Sequence, residues 1–179
     1  MQTLVYPVHF ESPPAILDIE ASGFGLGSYP IEIGVIMSDG QSWCSLVRPE
    51  PPWQHWDPEA AATHNITRDQ LQTHGRSVVE VADTLNEWLD GQVIYSDAWA
   101  HDYTWLNRLF DAANRTPRFK LESLRALLTD DEAASWHDLK REVGKSMSLQ
   151  RHRASSDARL LQSTLVSIRQ PAVDCSPGL

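Results

Sequence analysis

The order of elements legible in the chain, βββ-α-β-α-β-α-α, predicts an α/β or α+β protein with a five-stranded mixed sheet flanked by helices. Three observations carry this. Strand-like runs at 15–19, 31–36 and 42–47 follow one another with no room for crossover helices, which excludes a doubly wound Rossmann arrangement and implies an antiparallel meander. Short apolar runs at 92–96 and 118–121 are separated by helical periodicity, as strands reached by crossovers are. At 179 residues, with 41% hydrophobic and 22% charged residues, the chain fits one globular domain with a proper core.

Residues 1–13 read as an irregular lead-in, 14–170 as the domain and 171–179 as a flexible tail. Ala15-Ile16-Leu17-Asp18-Ile19 is short and β-branched, bounded by Pro13-Pro14 and Gly23, and predicts a buried central strand. The turn Gly23-Phe24-Gly25-Leu26-Gly27-Ser28 follows. Ile31, Ile33 and Val35 alternate with Glu32, Gly34 and Ile36, and Asp39-Gly40 is a two-residue hairpin signal leading into 42–47. Pro49–Pro58 ends the meander as a loop, with Asp57 capping a helix over 59–63. His64-Asn65-Ile66-Thr67 breaks that helix, and Thr67 with Gln70 forms a capping box for a short second one. Ser77 opens a stronger helix whose Val78, Val81, Ala82, Leu85, Trp88 and Leu89 share one face, stopped by Gly91. After the fourth strand, 102–113 carries the stripe Trp105, Leu106, Leu109 and Phe110. Helices are expected over 122–128, 131–143 and 155–168.

Two carboxylates interrupt the first strand. Side chains alternate along a strand, so Asp18 and Glu20 project side by side from one face. A divalent cation relieves their repulsion, and oxygen-only ligands suit Mg²⁺ or Mn²⁺. An exposed strand end with two solvated acids is the other reading of the pair alone. Asp102 falls in the first turn of the helix after strand four, where an acid also complements the helix dipole. His152-Arg153-Ala154-Ser155-Ser156-Asp157-Ala158 puts Asp157 in the first turn of the last helix and His152 in the loop before it.

No apolar run approaches the ~20 residues of a membrane span. The first basic residue is Arg48, so the N-terminus does not read as a secretory signal, and a cytoplasmic location is expected. Cys44 and Cys175 give neither a disulfide framework nor a metal spacing, and Cys44 reads as a small core residue. The net charge of −9 argues against avid binding of long duplexes. Its distribution is uneven: residues 1–99 hold 3 Lys/Arg against 14 Asp/Glu, whereas residues 100–170 hold 12 against 9. Lys140, Arg141, Lys145, Arg151 and Arg153 are therefore candidates to steer a phosphate backbone, or else a solvated helix surface.

Taken in order, Asp18-Ile-Glu20 with Ala-Ser22-Gly23, Asp102 followed by Leu106, and the HxAxxDA run from His152 to Ala158 resemble the three motifs of DEDDh 3′→5′ exonucleases. Proofreading subunits, oligoribonuclease and ribonuclease T are of this kind. The resemblance spans residues 14–168 and implies a ribonuclease H-like fold. It implies an exonuclease that releases nucleoside monophosphates from single-stranded RNA or DNA 3′ ends. It assigns Asp18, Glu20 and Asp157 to one Mg²⁺ or Mn²⁺ ion, Asp18 and Asp102 to a second, and His152 to the role of general base. Substrate contacts are expected from Ser22, Gly23, Phe24, as a base-stacking ring, and His64, in a turn that resembles HGIT with Asn65 for Gly. The chain departs from many relatives at Asp97-Ala98-Trp99, where they have His-Asn-Ala. A polymerase-attached proofreading subunit and a catalytically idle nucleic-acid-binding module are the alternatives. The seven Trp also leave a homodimer open.

Overall fold

The computed structural model describes residues 12–147 and 152–169, so the expected lead-in and tail, with Arg151 and Cys175, fall largely outside the described residues. Strands β1 (Ile16–Ala21), β2 (Pro30–Ile36) and β3 (Ser42–Leu46) form the antiparallel meander. Helices α1 (Pro58–His64), α2 (Arg68–His74) and α3 (Val78–Leu89) precede β4 (Val93–Ser96). Then come α4 (Trp99–Ala112), β5 (Lys120–Ser123), α5 (Asp130–Met147) and α6 (Ala154–Arg169). The sheet order is β3-β2-β1-β4-β5, with β4 parallel to both β1 and β5. The acid-bearing strand is thus the central one.

Local chemistry sets the helix starts as the sequence predicts. Asp57 accepts from the Glu59 amide, and Thr67/Gln70 and Ser77/Glu80 close reciprocal capping boxes. Such a cap contributes about 1 kcal/mol. Gly91 takes φ 70 just past α3, a conformation costly for side chains with a Cβ.

The sheet is covered on both faces. Leu17 and Ile19 of β1 with Ile31, Ile33 and Val35 of β2 pack on α3 and α4 through Val81, Leu85, Leu106 and Leu109. Ile16 and Ile36 face the other way, into Trp136, Ala158, Leu161 and Leu165 of α5 and α6. The alternation in β2 therefore does not mark an exposed face: every residue from Pro30 to Ile36 is buried, because α6 lies over the second one.

Three expectations are corrected. Residues 122–128 are not an α-helix: β5 extends to Ser123 by parallel pairing of Glu122 with Tyr95 and Ser123 with Ser96, leaving a 3-10 turn at Leu124–Leu127. Sheet pairing overrides helix propensity there. Helix α4 starts at Trp99, three residues before Asp102, with no side-chain cap. Cys44 is exposed on edge strand β3, not a core residue.

Candidate active site

The carboxyl end of β1 opens into a cleft, the place where open α/β sheets generally leave room for ligands. Asp18 and Glu20 sit on its floor, half-buried. Two lobes meet over them, of about 510 and 260 Å³. Asp102 lines the larger lobe, Asp157 the smaller one, and Asp18, Glu20 and His152 line both. All five residues singled out by the motifs thus border one cleft. Glu20, His152 and Asp157 bring ligand atoms within 4.8 Å of one another.

Each arrives by a separate device. Asp102 is 1% exposed at the start of α4, where the hydroxyl of Ser96, the last residue of β4, donates to its carboxylate. Asp157 reaches the floor because α6 lands directly on β2. A Cβ on Gly34 would overlap the Ala154 carbonyl carbon and the Ser155 nitrogen, and Gly34 is the ladder partner of Asp18. Only glycine allows that approach. Glu32, partner of Glu20 in the same ladder, is 1% exposed and accepts from the Ala154 amide at 2.9 Å while binding Arg153. His152 precedes that pair at φ 60. Arg153, expected to steer phosphate, is instead engaged by Glu32.

Crowded acids lose charge. Burial, then Asp102, Asp157 and Glu20, push the Asp18 carboxyl well above the ordinary range. Burial, then Asp157 and Glu32, raise Glu20 to about 7. Burial also raises Asp102 to about 7 against the opposing Ser96 hydrogen bond. A site that strains three carboxylates in this way fits cations better than water.

The larger lobe has an aromatic wall. Phe24, 65% exposed, meets His101 edge-on at 5.1 Å and Trp105 at 5.9 Å, and His101 stacks on Trp105. Gly23 sits at φ 135 with Asp57 and His55 so close that a Cβ would fall 2.5 Å from the Asp57 Cβ. His64 also lines this lobe. It is buried, its Nδ1 accepts from the Ile66 amide at 3.0 Å, and its Nε2 has no hydrogen-bond partner among the described residues. Burial lowers its pKa, which keeps the ring neutral with the proton on Nε2. Ser22 differs from expectation: its hydroxyl is buried, accepts from the Tyr29 amide at 3.1 Å and lies 3.0 Å from His55 Nδ1, within the wall and not on the cleft surface.

Sequence reasoning missed Glu32, Gly34, His55, Ser96 and His101. A charged residue and a glycine inside the apolar run Ile31–Ile36 were the available signal for the first two.

Strand order, helices on both faces and an acid-lined cleft at the strand ends define a ribonuclease H-like α/β protein of the nuclease kind. Residues 15–163 match the RNase T family model, described as exonuclease, and the chain belongs to that exonuclease family, consistent with the DEDDh motifs. Among solved structures, the zinc-bound form of the Escherichia coli exonuclease I complex with single-stranded DNA is 16% identical with TM-score 0.68. The match covers 91% of this chain and 42% of that one. A moderately thermophilic exonuclease I from Methylocaldum szegediense is 15% identical with TM-score 0.63, covering 90% and 41%. These likenesses show the fold, and the chain spans less than half the length of either protein. No curated protein sequence matches the chain. Among the described residues no helix is long and apolar enough to cross a membrane.

Proposed function

We propose that this chain hydrolyses phosphodiester bonds one nucleotide at a time from the 3′ end of single-stranded RNA or DNA, releasing nucleoside monophosphates. The observation that carries this is the convergence of Asp18, Glu20, Asp102, Asp157 and His152, drawn from three separate parts of the chain, on one cleft. Family membership supports it, as does the single-stranded DNA held by the structurally similar exonuclease I.

The donor set suits hard divalent cations, Mg²⁺ or Mn²⁺, because it is all oxygen apart from one imidazole, Glu20, His152 and Asp157 bring ligand atoms within 4.8 Å of one another, and burial and neighbouring acids hold Asp18, Glu20 and Asp102 above their ordinary pKa. Asp18, Glu20 and Asp157 would hold one ion, and Asp18 with Asp102 the other. When bound, such ions acidify a water and stabilise negative charge at phosphorus and on the leaving 3′ oxygen. His152, on the loop shared by both lobes, accepts the proton from the attacking water, which requires its neutral ring. Ser96 orients the Asp102 carboxylate. Phe24, backed by His101 and Trp105, stacks on the terminal base whatever its identity. Gly23 lets Asp57 and His55 pack against the turn that borders the terminal-nucleotide lobe, and His64 lines the same lobe.

The test uses 5′-labelled RNA and DNA strands of one sequence, incubated with Mg²⁺ or with EDTA. A metal-dependent ladder shortening from the 3′ end is expected. Internal fragments, loss of the 5′ label as a mononucleotide, or an uncut shifted band would overturn the reading.

A further inference from the structure

A second groove, of about 600 Å³, runs along one face of α5 and is lined by His137, Lys140, Arg141, Gly144, Lys145 and, from α6, Leu160. Lys140 and Leu160 also line the smaller lobe of the acid cleft, so the groove and the cleft share a wall. Lys140 is fixed at that junction by Asp97, whose Oδ2 lies 2.6 Å from its Nζ. Among the described residues Arg141 pairs with exposed Asp138, and Lys145 has no ion-pair partner. In a chain of net charge −9, a concave surface with three cations opening beside the cleft is the exception to the prevailing field.

We infer that this α5 groove is the track for the sugar-phosphate backbone of the strand upstream of the scissile bond, with Lys140 at the point where the strand enters the cleft. The inference deepens the proposed function and rests on it for the identity of the strand. The acids separate an aromatic lobe from a smaller one that opens past Asp157 and Lys140 onto the basic groove. A terminal nucleoside stacked beside Phe24 leaves the rest of its strand to depart on the opposite side, past Asp157 and Lys140. Arg141 and Lys145 lie one helical turn apart, about 6 Å along α5, a spacing that successive phosphates of an extended strand can match. Gly144 lies between them on the groove wall. A Cβ there would meet only Leu160 methyls at 3.6 Å, ordinary contact, so packing does not demand glycine. Glycine inside a helix costs about 0.5–1 kcal/mol relative to alanine, and the lack of a side chain at this position keeps the groove open.

The experiment measures fluorescence anisotropy of 5′-labelled single-stranded DNA in EDTA, so that no turnover is required, with a dodecamer and a dinucleotide as probes. The wild-type protein should bind the dodecamer more tightly. The double variant Arg141→Ala/Lys145→Ala should bind it about tenfold more weakly, with a salt-dependence slope shallower by about 1.4, the value for two lost single-strand phosphate contacts. Gly144→Leu, which removes no charge and favours the helix, should also weaken dodecamer binding by filling the groove. Arg115→Ala, at the exposed pair with Asp83, is the control for loss of a cation outside the groove and should bind as wild type does. The inference is overturned if wild type shows no preference for the longer probe, or if the groove variants keep its affinity and salt slope. Because binding is read without metal, failure of the track and failure of 3′-end cleavage are separate results.

Discussion

Arg153 grips Glu32 through both carboxylate oxygens, its Nε 3.0 Å from each, joining β2 to the start of α6 across 121 residues of sequence. The same carboxylate accepts the Ala154 amide. His152 and Asp157 lie on either side of this junction, so the pair fixes the loop and the helix turn that bring both into the cleft. Arg153→Ala leaves Glu32 buried with one amide donor. Removing one partner of a fully buried pair costs about 3–5 kcal/mol, and the partial exposure of Arg153 lowers the expectation to about 2–3 kcal/mol. For a domain of this size that is a drop of roughly 5–10 °C in Tm. Turnover should fall about tenfold through kcat more than KM, which steady-state kinetics separate.

Gly34→Ala tests the seat of α6. Its Cβ would overlap backbone atoms of Ala154 and Ser155, and backbone cannot rotate away as a side chain can. The helix must lift, carrying Asp157 from Asp18. We expect loss of both thermal stability and turnover; a variant as stable and active as wild type would contradict the contact.

The raised acids set a pH dependence in the metal-free protein. Folded Glu20 and Asp102 hold protons up to about pH 7, whereas unfolded they release them near 4.5 and 3.8. Between those limits the folded state binds more protons, so stability declines as pH rises from about 4 to 7. Glu80 and Asp83 are shifted the other way but are exposed and contribute little. Tm in EDTA should therefore fall between pH 5 and pH 8, and Mn²⁺ should raise it more at pH 8 than at pH 5. Glu20→Gln should flatten the slope. A Tm in EDTA that climbs over this range would contradict the electrostatics.

Phe24→Ala removes an exposed ring that supports little of the core. Stacking on a base is worth about 1–3 kcal/mol, so KM for a single strand should rise roughly five- to hundredfold with Tm unchanged. An unchanged KM would move the terminal base elsewhere.

The parts of the fold legible in the sequence are those set by local chemistry. Period-two placement puts Asp18 and Glu20 on one face, and the Thr67–Gln70 capping box and the Ser77 start mark the openings of two helices. What local chemistry does not encode was missed. Helix periodicity at 122–128 gave no sign that β4 would claim Glu122 and Ser123 as partners. Cys44 resembles a core residue in composition, yet it lies exposed on an edge strand. The acids and His152 stand out in the sequence through the three motifs that resemble DEDDh exonucleases, each set at a strand end or near a helix start, and the structure brings them to the border of one cleft. Glu32 and Gly34 act through a helix more than a hundred residues away, and Ser22 is turned inward by Tyr29 and His55.

The decisive measurement pairs calorimetric titration of Mn²⁺ into wild type and Asp18→Asn with turnover of a labelled strand by the same samples. Asp18 borders both lobes and raises no backbone question, so the variant should fold. Two ions are expected for wild type, with weakened binding at both sites in the variant and turnover reduced at least a hundredfold. An Asp18→Asn protein that binds Mn²⁺ as wild type does and still shortens the strand from its 3′ end would contradict a metal site built on this carboxylate.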